Sequence, residues 1–425
     1  MTAPVDFLLT GAGQLVTADP GLGEGALGLV EGGAVAASQG TVVFAGPRDA
    51  LPDLPLAPGC ERLDAGGRAV LPGFVDAHTH LVFAGDRADE FAARLRGTGY
   101  EQALASGGGI HRTVRDTRAA SSAELEEATA ERLVRAALHG TTTLEAKSGY
   151  GLNVADERRS LEVLAALSAR TPIEIVPTFL GAHLVPAEYA DDRAGYLDLL
   201  EHEMLPACAP LAEFIDAFCD RGALTVPESR RVLQAGRRLG LRAKLHANEL
   251  GPTGGAWLAA EQRCASADHL LFLDRAEAAA LAAAGTVAVL LPGTSFLLGT
   301  GRAPPVRVLR DTRVTLALGT DCNPGTCYCE SMQLMIALAC VHSGLTPEEA
   351  VLAATDGAAR AVGRGGRAGR LAPGAACDLV VLAGHSYLDL AYHLGVNLAH
   401  EVVKSGRVVA RDGVPLGLLR PAGPA

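Results

Sequence analysis

Two histidines separated by one residue end an apolar run in the segment AVLPGFVDAHTHLVFAGDR, which spans residues 69–87. Alternate side chains of a strand point to the same face, so His78 and His80 can reach one metal ion together. Neutral imidazole nitrogens are common ligands of Zn²⁺ and of other divalent transition metals. The pair alone is a weak motif, and its meaning depends on what the rest of the chain places beside it.

Two later residues can complete such a metal site. His246 and Asp321 each stand at the end of another apolar run, and together with His78 and His80 they offer three nitrogens and one oxygen. This set suits one Zn²⁺, Fe²⁺ or other divalent ion. The alternative is that the histidines lie in a core and bond to backbone carbonyl groups.

Further ionisable residues lie close to these positions. Glu249 follows His246 by three residues, where it can take a proton from a water and pass it to a leaving nitrogen. His269 can polarise a carbonyl group under attack. The alternatives are a solvated loop carboxylate for Glu249 and a hydrogen bond to Asp321 or backbone for His269. We expect Lys147 to form a structural ion pair with Glu145 or a neighbouring carboxylate, with a carbamylated lysine that bridges two metals as the alternative.

The elements that must position these residues are eight short apolar runs, read as strands. They cover residues 69–80, 141–148, 173–183, 213–220, 242–249, 266–273, 286–293 and 314–321. All of them except 286–293 carry ionisable side chains near their ends, which are His78, His80, Glu145, Lys147, His183, Asp220, His246, Glu249, His269 and Asp321.

Amphipathic stretches with helix-capping signals lie among these strands. The segments 121–140, 225–240 and 346–363 each begin with Ser or Thr followed three residues later by Glu, the spacing of a capping box. Alternating strands and helices predict an α/β fold, a (β/α)₈ TIM-like barrel over residues 69–369. Catalytic groups of such barrels lie at the carboxyl ends of the strands, so the ionisable ends should meet at one rim.

The two ends of the chain differ from the middle. Residues 1–68 and 370–425 contain short strands separated by Gly-rich turns, and neither segment is long enough to form a sandwich alone. We predict one small β-sandwich domain assembled from both termini. The long insertion after the first barrel strand contains the run Gly107–Gly109 without a following G-K-[ST], so we expect a mobile loop over the barrel mouth and not a phosphate loop.

The composition is that of a globular protein and narrows its partners. Of 425 residues, 48% are hydrophobic, and the net charge of −11 argues against nucleic acid or an anionic membrane as a partner. We expect no signal peptide and no membrane span, because the first residues lack a basic segment with an apolar core and no apolar run reaches the length of a span. Nine scattered cysteines indicate reduced thiols and a cytoplasmic protein. The group Cys322, Cys327 and Cys329 is read as incidental thiols, with a metal or iron–sulfur fragment as the alternative.

Several blocks between residues 70 and 330 resemble one family. They are LPGFVDAHTHLVFAGDRADEF, HGTTTLEAKSGYGL, PTFLGAH, KLHANE, SADHL and GTDCNPGT. They resemble the metal-dependent amidohydrolase superfamily and, within it, the imidazolonepropionase family, to which KSGYGL and TFLGAH are specific. The resemblance implies hydrolysis of 4-imidazolone-5-propanoate to N-formimidoyl-L-glutamate in the cytoplasm, with one Zn or Fe ion. The chain departs from the family at Cys322 and at residues 327–329, beside the expected pocket.

The resemblance also assigns residues to roles. It implies metal ligands at His78, His80, His246 and Asp321, and substrate contacts at Arg87, Tyr150, His183, Glu249, Asn323, Gly325 and Thr326. Glu249, His269 and Asp321 are the catalytic candidates. The guanidinium of Arg87 suits a propionate carboxylate. The alternatives are a surface arginine at Arg87, packing roles for Tyr150 and His183, and a plain turn over 323–326.

Other functions remain open at this stage. Another cyclic amidohydrolase or a nucleobase deaminase of the same superfamily would share the metal ligands, and a non-catalytic barrel scaffold is a more distant alternative. We expect a small-molecule substrate as the partner, no nucleic acid or membrane, and a homodimer.

Overall fold

The computed structural model describes residues 4–97, 108–299 and 301–421. Within these ranges the strands form two sheets. One is a parallel barrel from the middle of the chain, and the other is a mixed sheet built from both ends, so both parts of the predicted fold class are confirmed.

The terminal sheet has nine strands. Its strands are β1 Val5–Val16, β2 Leu29–Ser38, β3 Thr41–Pro47, β4 Leu56–Asp64, β5 Ala69–Pro72, and, from the other end of the chain, β14 Leu379–Leu382, β15 Ala399–Lys404, β16 Arg407–Arg411 and β17 Val414–Pro415. The order is β17-β16-β15-β14-β5-β1-β2-β3, with β4 also paired to β1. Thr41 forms a bridge to Ala376 just before β14, so the sheet bends back on itself. Side chains such as Phe7, Val42 and Val403 share one apolar core inside it.

The barrel strands follow one another in chain order. They are β6 Phe74–Asp76, β7 Thr141–Lys147, β8 Glu174–Ala182, β9 Phe214–Cys219, β10 Arg242–Ala247, β11 Ser266–His269, β12 Val287–Leu290 and β13 Leu316–Leu318. Each pairs in parallel with the next. The first and last strands close the ring, since Asp321 N donates to His78 O at 2.9 Å and His80 N donates to Cys322 O at 3.0 Å.

The prediction of one strand over residues 69–80 is wrong, because the chain forms two strands there. β5 pairs with β1 and β14 in the terminal sheet, whereas β6 pairs with β7 in the barrel. Gly73 joins them where the backbone passes so close to β7 that a Cβ would lie 2.4 Å from Thr142 Oγ1. Periodicity cannot separate two buried strands that meet without a polar residue between them. The predicted domain limits at 68/69 and 369/370 stay a prediction.

Helices, some of them only one turn long, connect the barrel strands and lie in the longer loops. In chain order the α-helices are α1 Ala88–Leu95, α2 Ile110–Ala119, α3 Ser122–Leu138, α4 Val154–Ser168, α5 Arg193–Leu199, α6 Leu205–Cys208, α7 Val226–Arg238, α8 Gly255–Glu261, α9 Arg275–Ala284, α10 Pro292–Leu297, α11 Val306–Thr312, α12 Met332–Val341, α13 Pro347–Leu352, α14 Ala358–Ala361 and α15 Asp389–Tyr392. The predicted capping boxes at α3, α7 and α13 are confirmed, and a further one joins Asp274 to Glu277 at α9.

The glycine run in the insertion falls only partly within the described ranges. Gly107 lies outside them, while Gly109 precedes α2 with φ of 65°, a backbone conformation that favours glycine. The predicted loop over the barrel mouth therefore stays a prediction. None of the helices in the described ranges is both long and apolar enough to cross a membrane.

Candidate metal centre and active site

A cavity of about 410 Å³ opens at the carboxyl ends of the barrel strands. The sequence-predicted residues that line it are His80, Arg87, Tyr150, His183, His246, Glu249, His269, Asp321, Asn323 and Thr326. His78 lies fully buried next to the ring of His80, and Gly325 lines a smaller adjoining cavity. The structure thus brings all the predicted site residues to one end of the barrel.

Three histidines converge beneath this cavity. His78 Nε2 lies 3.2 Å from His80 Nε2, which lies 3.4 Å from His246 Nε2. Asp321 Oδ1 lies 3.6 Å from His78 Nε2 and 3.4 Å from His80 Nε2. Ligands placed tetrahedrally around Zn²⁺ at its usual bond lengths are separated by about 3.3 to 3.6 Å. The three buried histidines therefore form a group that fits a metal ion, and Asp321 stands at a fourth position.

Carboxylates and a hydroxyl group orient these side chains from behind. Asp268 Oδ2 lies 2.6 Å from His78 Nδ1, and Asp216 Oδ2 lies 3.0 Å from His246 Nδ1. Thr294 Oγ1 donates to Asp321 Oδ2 at 2.6 Å, which leaves Oδ1 turned to the histidines. Such partners fix the ring orientation and leave the second nitrogen as the ligand.

The electrostatics favour the protonation states that metal binding needs. Burial lowers the pKa of His78 well below its usual value and also lowers that of His80, so both rings are neutral at physiological pH. Burial acts to raise the pKa of Asp321, but contacts with His80 and His269 outweigh it and keep the carboxyl ionised. Neutral imidazoles and a carboxylate are the donor types that bind a transition metal.

Lys147 lies in the barrel interior as part of a charge cluster. Its Nζ is 2.6 Å from Glu145 Oε1 and 2.8 Å from Asp216 Oδ2, with all three side chains fully buried. Lys244 Nζ donates to Ala77 O at 2.8 Å and lies 3.5 Å from Glu145 Oε1. The predicted ion pair of Lys147 with Glu145 is confirmed.

Glu249 faces the cavity from the turn after β10. Burial, and then the charges of Asp321 and Asp220, raise the pKa of Glu249 well above its usual value. Asp220 Oδ2 holds the turn by accepting from Glu249 N at 2.7 Å and Leu250 N at 2.9 Å. His269 Nε2 lies 3.5 Å from Glu249 Oε2, and burial lowers the pKa of His269 to about 3. The site therefore combines a basic carboxylate with a neutral imidazole.

Tyr150 and His183 form the wall next to His80. The ring of His183 stacks on that of His80 with centroids 5.2 Å apart, and Tyr150 lies 5.5 Å from His183. His183 Nδ1 is 3.0 Å from Gly149 O, which makes this nitrogen the donor. Glu157 accepts from the backbone of the loop between β7 and α4, at Gly149 N, Gly151 N and Leu152 N.

Arg87 stands at the start of α1, with its side chain 10% exposed. Its Nε donates to Glu90 Oε2 at 2.8 Å. A Cβ on Gly325 would lie 2.3 Å from Arg87 Nη1, so any larger residue at this position would displace the guanidinium. Arg87 is therefore a partly buried, paired arginine, and not a surface one.

Residues 323–326 form the turn that the sequence offered as an alternative. Asn323 Oδ1 accepts from Gly325 N and Thr326 N, each at 2.8 Å. Asn323 Nδ2 donates to Asp321 O at 2.6 Å and Thr326 Oγ1 at 2.8 Å. The amide of Asn323 is thus engaged within the turn, while Gly325 and Thr326 approach Arg87 and the cavity.

The supporting carboxylates Asp216, Asp268, Glu157 and Glu90 had no assigned role in the sequence analysis. For Asp216 and Asp268 the signal was an acidic residue within an apolar strand, as in FIDAFC and SADHL, which predicts burial but not a partner. Glu90 and Glu157 lie near the starts of helices, where acidic residues are common and carry no such signal. Burial raises the pKa of the Cys322 and Cys327 thiols well above the usual value. Among the described residues the group spaced for a metal ion is the three histidines and includes no cysteine, which favours incidental thiols.

Comparisons with known proteins agree with this geometry. The amidohydrolase family matches residues 69–409. An imidazolonepropionase of Symbiobacterium thermophilum is 49% identical over 418 residues, which cover 96% of this chain and 98% of the relative. An imidazolonepropionase of Geobacillus kaustophilus is 46% identical over 391 residues, covering 91% and 92% of the two chains.

Solved structures with low sequence identity share the fold. An adenosine deaminase from Xanthomonas campestris with bound zinc aligns with a TM-score of 0.68 at 22% identity, covering 98% of this chain and 95% of that one. A triazine hydrolase variant aligns with a TM-score of 0.74 at 19% identity, covering 96% and 95%. At this identity the likeness supports the architecture and leaves the reaction to the site residues.

Proposed function

This chain belongs to the amidohydrolase family and, within it, to the imidazolonepropionases, and we propose that it hydrolyses 4-imidazolone-5-propanoate to N-formimidoyl-L-glutamate. The observation that carries the proposal is the convergence of three histidines and Asp321 beneath a cavity with Arg87 in its wall. The enzyme is a hydrolase acting on a carbon–nitrogen bond of a cyclic amide, in the degradation of histidine.

His78, His80, His246 and Asp321 are the proposed ligands of one Zn or Fe ion. Their spacing and their neutral or ionised states suit such an ion. When bound, the ion would act as a Lewis acid toward the ring carbonyl and would make water more acidic. Asp268 and Thr294 support the proposed role by orienting two of the ligands.

Glu249 is the proposed general base and acid. Its raised pKa suits a group that takes a proton from the attacking water and returns it to the ring nitrogen when the carbon–nitrogen bond breaks. The water oxygen adds to the ring carbonyl carbon and the bond from that carbon to the ring nitrogen breaks, so the ring opens to one product that carries both the new carboxylate and the formimidoyl group. His269, neutral and 3.5 Å from Glu249, is proposed to polarise the carbonyl, and Asp321 contributes as a ligand close to it.

We assign substrate binding to the cavity residues that are not proposed metal ligands. The guanidinium of Arg87 is proposed to bind the propanoate carboxylate, which fixes the ring carbonyl relative to the ligands. Tyr150 and His183 would contact the ring or the carboxylate. Thr326 and Gly325 would contact the substrate beside Arg87. Asn323 would act indirectly, by holding the turn that contains Gly325 and Thr326.

The test is turnover by the purified protein. Loss of the imidazolone ultraviolet absorbance, with N-formimidoyl-L-glutamate identified by mass spectrometry, is the expected result. Guanine and cytosine serve as competing substrates for a deaminase, and neither should be consumed at a comparable kcat/KM. Turnover of a nucleobase without turnover of imidazolonepropanoate would replace this proposal with a deaminase.

A cytoplasmic location and a homodimer complete the proposal. All nine cysteines lie within the described ranges and are free, which supports a reducing compartment. Exposed apolar side chains at Tyr392, Leu394 and Val396 offer a surface for a second chain. Light scattering of the purified protein tests the dimer by its molar mass. The mass of a single chain would contradict the proposal.

A further inference from the structure

Glu90 connects the proposed substrate arginine to the insertion after β6. Besides accepting from Arg87 Nε at 2.8 Å, its carboxylate accepts from Gly109 N, with both oxygens at 3.1 Å. The Glu90 side chain is 17% exposed, so the ion pair is shielded from water on most sides. One carboxylate thus ties the start of α1 to the residue that precedes α2.

This contact determines which donors of Arg87 remain for a ligand. A guanidinium has one donor on Nε and four on its two terminal nitrogens, and a carboxylate is bound best by two of them in parallel. Because Glu90 takes Nε, the terminal nitrogens are left for the cavity. Gly325 passes close to the same end, since a Cβ added to it would lie 2.3 Å from Nη1 and 3.2 Å from Nη2. Glu90 therefore bonds the guanidinium on one side, while the backbone at Gly325 leaves little free space on another.

The charge of Glu90 could also act in the opposite sense. A carboxylate beside Arg87 offsets part of its positive charge and weakens its attraction for an anion. A long unpaired arginine, however, would lose side-chain freedom when it binds a ligand, and pre-ordering by Glu90 removes that cost. The two effects predict opposite changes in affinity when Glu90 is replaced.

We propose that Glu90 is a positioning residue that fixes the guanidinium of Arg87 for the carboxylate of the substrate, so that it sets selectivity for a carboxylate over a neutral side chain. This inference rests on the proposed function. It is separable from it, because wild-type turnover of imidazolonepropanoate tests the function before any variant is compared.

The experiment compares 4-imidazolone-5-propanoate with its propanamide analogue in wild type and in Glu90→Ala. We expect KM for the propanoate to rise about tenfold in the variant, the range for ordering a free arginine side chain when the ligand binds, with kcat within about twofold. The propanamide should have the same kcat/KM in both proteins. The readout is the ratio of kcat/KM for the propanoate to kcat/KM for the propanamide, because a general loss of structure would lower both values and leave their ratio unchanged.

Two further variants separate contact from charge. Glu90→Gln keeps an acceptor for Arg87 Nε and should retain a KM near that of wild type, whereas Glu90→Asp keeps the charge, is too short for the contact, and should behave like Glu90→Ala. Glu162→Ala is the control, because it removes a carboxylate away from the cavity that pairs with Arg158 at 2.8 Å and is 51% exposed. Its kinetics should be unchanged.

Three results would overturn the proposal. They are a KM for the propanoate that is unchanged or lower in Glu90→Ala, equal losses for propanoate and propanamide, and a wild-type KM in Glu90→Asp. Because Glu90→Asp retains the charge at the start of α1, it keeps the proposal testable if Glu90→Ala does not fold. If the wild-type protein does not consume the propanoate, the proposed function fails and not the assignment of Glu90 alone.

Discussion

Glu249 is a buried carboxylate with neighbours that disfavour its ionised form. It is 9% exposed and lies near two other carboxyl groups, Asp321 and Asp220. Raised basicity is a usual property of a group that moves protons during hydrolysis. The backbone contacts from Asp220 hold the turn, so removing the Glu249 charge should not displace it.

Replacing Glu249 with Gln is expected to lower kcat by about 10²- to 10⁴-fold, since the amide cannot accept the proton of the attacking water. The variant should keep its metal, because the proposed ligands are untouched. Metal analysis and turnover on the same preparation check both statements. An unchanged kcat would remove Glu249 from the role of base.

Residue types and spacing predicted the proposed metal ligands, but not the carboxylates that orient those ligands. His78 and His80 are two residues apart just past the end of β6, so one short segment of chain brings them together. The contact of His78 with Asp268 joins residues 190 positions apart and depends on the closure of the barrel. Nothing in the sequence around Asp268 indicates its partner. The contact with His78 becomes apparent only when the strands close into a barrel.

At the scale of elements, the loops after the strands are held by carboxylates that do not line the cavity. Glu157, on the first turn of α4, accepts backbone hydrogen bonds from the loop that carries Tyr150. Gly149 of this loop also presents its carbonyl to His183 Nδ1. One buried side chain therefore supports two proposed substrate contacts.

Glu157→Ala is expected to destabilise the protein by roughly 2 to 4 kcal/mol, because it leaves several buried backbone N–H groups without an acceptor. KM should rise as well, since Tyr150 and His183 lose their support. Urea unfolding and steady-state kinetics provide the measurements. Glu162→Ala, on the same helix and 51% exposed beside Arg158, is the matched control and should change neither. Equal effects of the two substitutions would contradict the account.

Strands and capped helices were predictable because their signals are local. The runs 213–220 and 242–249 are strands Phe214–Cys219 and Arg242–Ala247, and Ser121 caps α3 with Glu124 as its spacing predicted. The division of residues 69–80 between two sheets was not predictable, because β5 finds its partners β1 and β14 at both ends of the chain. Pairing over such distances leaves no pattern in a short window.

At the scale of the whole molecule, a network of buried ion pairs lies at the centre of the barrel. Lys147 contacts Glu145 and Asp216, and Asp216 lies next to His246. A buried ion pair is costly to break, since its remaining partner is left uncompensated. The network therefore links the stability of the barrel to the orientation of a proposed metal ligand.

Lys147→Met is expected to lower the free energy of unfolding by about 3 to 5 kcal/mol while metal binding persists. Lys404→Met breaks a similar buried pair with Asp378, at 2.7 Å in the terminal sheet, and serves as the control. It should lower stability without changing kcat or KM. Loss of metal from Lys147→Met with unchanged stability would instead favour a lysine that binds metal.

The central claim is that one ion, held by His78, His80, His246 and Asp321, is needed for hydrolysis of imidazolonepropanoate. Its most direct test removes metal with a chelator and then measures turnover during stepwise addition of Zn²⁺ or Fe²⁺. The account predicts negligible turnover of the stripped protein and a linear rise to a plateau at one equivalent per chain. Full turnover without metal, or a plateau at two equivalents, would contradict it.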